Sequence, residues 1–147
     1  MSQLAKTFAY DFAALTDRGR VRPQNEDSVA AFPEFGVWAV ADGMGGHEAG
    51  DVASRIITEE LASLGVPISA QDQRARVQER LDRAHQRIMA HSRESGLGGA
   101  GSTVAALLLH GGELACIWAG DSRIYLVREG GLTQLTRDHS EVAMMVA

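Results

Sequence analysis

Apolar positions recur along this chain with two different spacings, and polar, glycine-rich breaks separate the runs. Phe8, Tyr10 and Phe12 fall on every second residue, which predicts an extended element with one apolar face over residues 8–15. The stretch from Asp27 to Phe32 and the run Val37-Trp38-Ala39-Val40-Ala41 are joined by Pro33-Glu34-Phe35-Gly36. That predicts an antiparallel hairpin whose second strand ends at Asp42 and is buried on both faces. In such a hairpin Asp27, at the start of one strand, lies near Asp42, at the end of the other.

From Ala49 the spacing lengthens. Ala49, Val52, Ala53, Ile56, Ile57, Leu61 and Leu64 mark one face of a helix that Gly65 and Pro67 end. A second helix opens at Ser69, a capping residue with Asp72 three positions on, and carries Val77, Leu81, Ala84 and Ile88 on one stripe. Its other face holds Arg74, Arg76, Arg80, Arg83, Arg87 and Arg93 among acids. Asp72 with Arg76 and Glu79 with Arg83 have the spacing of surface ion pairs, so this face reads as solvated, and His85 and His91 read as surface residues. Strand character returns at Val104–Leu109, Leu114–Ala119 and Ile124–Val127, a predicted antiparallel meander turning at Gly111-Gly112, with Thr133–Thr136 as a short fourth strand. Asp138 and Glu141 read as the start of a last helix whose pattern stops at Ala147, so the chain is expected to be cut there.

The composition, 147 residues with 45% hydrophobic and 22% charged, is that of one globular domain over residues 1–147. A formal net charge of -5 argues against a general nucleic-acid binder. The single cysteine, Cys116, has no partner in the chain and reads as a buried structural thiol. Neither a secretory leader nor an apolar run of membrane-spanning length is visible, and a cytoplasmic location is the expectation.

The chemistry concentrates at Asp42-Gly43-Met44-Gly45-Gly46-His47. A carboxylate at the end of a core strand is costly to ionise unless a cation or donor compensates it, and the glycines let the backbone turn tightly beside it. Asp-Gly is also ordinary turn chemistry. The second glycine-rich stretch, Ser95 to Thr103, lacks the lysine of a phosphate-binding loop and leads into a strand, so a nucleotide-binding reading has little support. The polar groups placed at strand ends and turns are Arg22, Glu26, Asp27, Asp42 and Asp121. Four acids and an arginine, with no histidine or cysteine cluster, suit a hard cation such as magnesium or manganese. Divalent ions would let the acids stay ionised together and would activate a water, while the arginine fork grips phosphate oxygens; the set suits phosphoester hydrolysis.

Five stretches carry a resemblance: Arg22-Pro23-Gln24-Asn25-Glu26-Asp27-Ser28, Val40 to His47, Gly101-Ser102-Thr103, Ala119-Gly120-Asp121-Ser122-Arg123 and Thr136-Arg137-Asp138-His139-Ser140. In this order and spacing they resemble the bacterial metal-dependent protein serine/threonine phosphatases of type 2C. The overall look is also similar to the members that oppose a threonine kinase in type VI secretion. The resemblance implies an α+β fold, a four-layer α-β-β-α sandwich of two mainly antiparallel sheets flanked by helices. It implies two or three divalent cations, manganese or magnesium. Asp42 would bridge two of them, the Gly43 carbonyl would coordinate one, and Glu26 and Asp27 would complete the shell. Asp121 would hold a third. Arg22 would bind the substrate phosphate, and a metal-held water would attack phosphorus without a covalent phosphoenzyme. The implied partner is a phosphorylated protein, opposite a serine/threonine kinase, with no nucleic acid and no membrane segment.

Two departures qualify this. Met44 stands where some members carry a histidine proposed as the general acid, and a thioether cannot donate a proton; His47 nearby reads as a capping or solvated residue. The family also continues past the point where this sequence stops, with two further metal-binding aspartates and a mobile flap, so the resemblance implies a C-terminally truncated domain. The alternative reading is a non-catalytic phosphatase-like module that binds metal or phosphoprotein.

Overall fold

The computed structural model describes residues 9–46, 49–96 and 99–139. Its first ladder is the expected hairpin, β1 (Asp27–Phe32) against β2 (Val37–Met44). The Pro33–Gly36 connection closes through Phe35 N–H to Phe32 O and Gly36 N–H to Pro33 O. Two helices follow, α1 (Ala49–Ala62) and α2 (Ala70–Ser95), then β3 (Gly101–Ser102), β4 (Val104–His110), β5 (Glu113–Ala119), β6 (Tyr125–Arg128) and β7 (Gly131–Gln134). All pairings are antiparallel: β1-β2-β4-β5 form the main sheet with β3 beside the end of β2, and β6-β7 form a separate ribbon. Antiparallel sheets with packed helices make this an α+β fold, as expected.

One face of the main sheet meets the helices. Alternate residues Ala30, Val37, Ala39, Ala41, Val104, Ala106 and Leu108 pack against Ala53, Ile56, Ile57 and Leu61 of α1 and Val77, Ala84 and Ile88 of α2. Small alanines on the strands let the helices approach closely, and each large side chain fully buried there, such as Leu61, Leu108 or Val77, stabilises by about 1.5–3 kcal/mol. Ser69 caps α2, its Oγ accepting from the Asp72 amide at 2.9 Å. Gln73, buried on the next turn, sends Nε2 to the carbonyls of Phe35, Gly36 and Leu109 at 2.8, 3.2 and 2.9 Å. It thereby ties α2 to the hairpin connection and to β4.

Several expectations need correction. Residues 9–18 form no strand, because no ladder partner lies beside them among the described residues, yet Tyr10 and Phe12 do share a side: both rings meet Trp38 edge-on at 5.7 and 5.9 Å. β2 is buried on one face only, with Val40 43% exposed on the other, and it runs on through Gly43 to Met44. The apolar run reflects a second, thinner layer on the sheet's other side. There Ala13–Leu15 and Arg123–Ile124 come over Trp38, Val40, Ala105 and Leu107 around a cavity of about 290 Å³.

The meander stops after β5, since the chain leaves the sheet at Gly120 (φ +100°) and β6 pairs with β7 instead; β7 also lies two residues earlier than expected. The arginine face of α2 is only partly solvated. Asp72–Arg76 and Glu79–Arg83 pair as expected at 3.0 and 3.7 Å, but Arg83 and Arg87 also reach the buried Glu60 of α1 at 3.2 and 3.1 Å. His85 is exposed and His91 half-buried. Cys116 is half-buried, and burial pushes its thiol up. The expected last helix, together with Phe8 and His47, lies outside the described residues. No helix among the described residues is long and apolar enough to cross a membrane.

Candidate metal and phosphate site

The ladder brings the two predicted carboxylates together. Asp27 and Asp42 are Cα partners at the open end of the β1–β2 pair, and strand alternation puts both on the face turned away from the helices. Their carboxyls are close enough to act on one another electrostatically. Asp42 is held above the ordinary carboxylate range, first by partial burial, then by the charge of Asp27 and the charge of Asp121, with the Arg22 guanidinium acting in the opposite sense. Of the five side chains read from the sequence, Arg22, Asp27 and Asp121 therefore act electrostatically on a fourth, Asp42, although the four come from three separate segments.

Asp17, Arg18, Arg22, Gln24, Asn25, Glu26, Asp27 and Asp42 line a polar cavity of about 210 Å³. A neighbouring cavity of about 270 Å³ has Asp27, Asp42 and Ser122 in its wall. Glu26 stands differently from Asp27. Its carbonyl accepts from the Gly43 amide at 2.9 Å, and its carboxylate lies against the first turn of α1, where a Cβ on Gly50 would come within 2.8 Å of Oε2. Gly43 is sterically required, because a Cβ there would sit 1.8 Å from the Gly50 carbonyl oxygen. Asp121 is exposed on the turn after β5 and reaches the site through its charge.

Among the described residues no three acidic, histidine or cysteine side chains converge as a metal cage. The donor chemistry nevertheless fits a hard cation. Two neighbouring carboxyls, with Asp42 pushed up first by burial and then by the charge of Asp27, are an oxygen pair whose repulsion a divalent ion would relieve.

Sequence reading missed three supports. Asn25 accepts from the Asp27 amide at 3.0 Å and donates to Thr16 at 2.8 Å, which fixes the start of β1. An Asn two residues before an aspartate is a recognisable turn signal. Asp17 caps Gly19 at 2.7 Å and lines both cavities. The hydroxyls of Thr103 and Ser122 stand behind Asp42; only the fold puts them there.

The pattern of the family described as protein phosphatase 2C matches residues 14–142. Over 141 residues the chain is 41% identical to the serine/threonine protein phosphatase PstP of Mycobacterium tuberculosis, covering 95% of this chain and 27% of that protein. It superposes on the structure of PppA, described as a key regulatory component of the type VI secretion system in Pseudomonas aeruginosa, with a TM-score of 0.86 and 37% identity over 91% of this chain and 59% of that one. It also superposes on the catalytic domain of PstP in complex with two manganese ions, with a TM-score of 0.81 and 42% identity over 91% of this chain and 58% of that one. The chain thus spans between about a quarter and three fifths of the relatives it matches.

Proposed function

Because this chain belongs to the protein phosphatase 2C family, we propose that it carries the core of a metal-dependent enzyme that hydrolyses phosphoserine and phosphothreonine on proteins. The observation that carries the reading is the Asp27–Asp42 pair at the mouth of a polar cavity that Arg22 also lines. Asp42 and Asp27 would hold manganese or magnesium, with the Gly43 carbonyl and Glu26 contributing, and Asp121 would serve a third ion. Bound there, the cations would supply Lewis acidity toward the phosphoryl group and a water made acidic enough to act near neutral pH. Arg22, with its planar guanidinium fork, would grip the phosphate oxygens and orient the ester. Met44 beside the site cannot protonate the leaving alcohol, so that proton has to come from another group or from solvent.

The substrate class is a protein phosphorylated by a serine/threonine kinase, and the cytoplasm is where the pair would meet. The PstP structure with two manganese ions supports the metal assignment, and the PppA likeness supports a regulatory setting.

A second reading rests on a specific observation, the lack of a closed three-acid cage among the described residues. On it, this chain by itself binds metal or phosphoprotein without turnover. Manganese-dependent hydrolysis of a phosphothreonine peptide, with Asp42→Ala as control, separates the two. Activity that needs manganese and vanishes in the variant supports the enzyme; metal binding without turnover supports the module.

A further inference from the structure

Thr103 ends the Gly101-Ser102-Thr103 motif, which the phosphatase reading leaves without a task. The ladder pairs Val40 with Ala105 and Gly43 with Ser102, so the same register sets Thr103 directly opposite Asp42. Continuing across β4 and β5, where Val104 pairs with Ala119, Gly120 follows in the same row. Asp27, Asp42, Thr103 and Gly120 therefore form one line across the sheet at the level of the site.

At Thr103 the regular ladder is interrupted in a particular way. The Thr103 amide donates to the Asp42 carbonyl at 2.9 Å, as a strand should, but the Asp42 amide donates to Thr103 Oγ1 at 3.1 Å. The Thr103 carbonyl is taken instead by Ser102 Oγ at 2.8 Å. The same Oγ1 lies 2.5 Å from Ser122 Oγ, next to Asp121. Thr103 is 4% exposed, and its methyl group fills the space at Gly120, where a Cβ would come within 2.6 Å of Cγ2. One hydroxyl thus bonds both the main chain of Asp42 and the turn that carries Asp121.

We propose that Thr103 is a positioning residue for the metal site: its hydroxyl, relayed through Ser122, sets the placement of Asp42 relative to Asp121. This rests on the reading of Asp42 as a metal ligand. A hydroxyl at this position holds both carboxylate-bearing segments in one arrangement, whereas a methyl in its place leaves the Asp42 amide unpartnered and releases the turn at Gly120-Asp121-Ser122 from β2. Groups that orient ligands in this way typically govern metal affinity by 10–100-fold.

The test is manganese binding to the 147-residue chain by titration calorimetry, read alongside circular dichroism, for wild type, Thr103→Val, Thr103→Ser, Ser122→Ala and Asp42→Ala. The expected result is manganese binding that Asp42→Ala abolishes, a loss of about tenfold or more in Thr103→Val, and affinity restored to within about twofold by Thr103→Ser, which keeps the hydroxyl. Ser122→Ala, which leaves the Thr103 methyl in place, is expected to weaken binding severalfold and carries the test if Thr103→Val does not fold. Thr103→Val or Ser122→Ala binding manganese as wild type does overturns the proposal. So does a Thr103→Ser chain as weak as Thr103→Val, because keeping the hydroxyl would then not be enough and the side chain would act through its packing against Gly120. A wild-type chain without manganese binding that depends on Asp42 overturns the metal reading itself, and this inference with it.

Discussion

Asp27 and Asp42 stand opposite one another in the β1–β2 ladder, and the charge of Asp27 helps to raise the Asp42 carboxyl above the ordinary range. Two acids directly across a ladder normally destabilise it. On the metal reading proposed above, a divalent cation between them would relieve their repulsion.

Neutralising Asp42 should therefore act in opposite directions with and without metal. Asp42 ionises at an ordinary pH in the unfolded chain and at a higher one in the fold, so between those values the folded chain binds more protons and loses stability as pH rises. Without metal, Asp42→Asn should raise stability at neutral pH by a few tenths of a kcal/mol, a small figure because the site is largely solvent-screened. Manganese at about a hundredfold over its Kd should stabilise wild type by about 2.7 kcal/mol and the variant not at all. Thermal melts with manganese and with chelator check both signs.

The start of α2 should fail in acid. Asp72 accepts from the Ile68 amide at 2.9 Å and from Arg76 Nε at 3.1 Å, and these bonds, the amide foremost, hold its carboxyl below the ordinary range. A depressed carboxylate contributes stability that is present above its unfolded pKa, about 3.9, and disappears as pH falls through the folded value. Urea midpoints measured on either side of that window should fall with pH in wild type and fall less in Asp72→Asn.

Gln73→Leu should cost about 2–4 kcal/mol, since it keeps the buried volume but strips Phe35 O and Leu109 O of their donor. The Gly36 carbonyl keeps the Leu109 amide at 2.8 Å and should add little. Denaturant unfolding gives the number, and hydrogen exchange should place the loss at the Pro33–Gly36 connection.

Gly43→Ala should disturb the site without touching any charge. The added methyl meets the backbone of Gly50 at 1.8 Å, and backbone cannot rotate aside. Overpacking of this kind costs about 1–3 kcal/mol. The prediction is a lower melting temperature together with weaker manganese binding, whereas Gly46→Ala, with open space around it, should change neither.

The hairpin, both helices, the Ser69 cap and the pairing of Asp27 with Asp42 were legible in the sequence, because each depends on spacing within one or two neighbouring elements. Apolar periods of two and 3.6 residues mark faces, and a four-residue connection leaves a hairpin little choice of register. Spacing could not say what covers a face. The run Val37–Ala41 looked buried on both sides, yet Val40 is half-open because only a thin irregular layer crosses it. Phe8, Tyr10 and Phe12 had the period of a strand, but a strand also needs a hydrogen-bonding neighbour, and the described part of that segment has aromatic contacts with Trp38 instead. Residue types alone nominated Arg22, Glu26, Asp27, Asp42 and Asp121. Only the tertiary structure turned the Glu26 carboxylate toward α1 and drew Thr103 and Ser122 in behind Asp42. Those placements are decided by contacts between residues 19 to 61 positions apart, which no local pattern encodes.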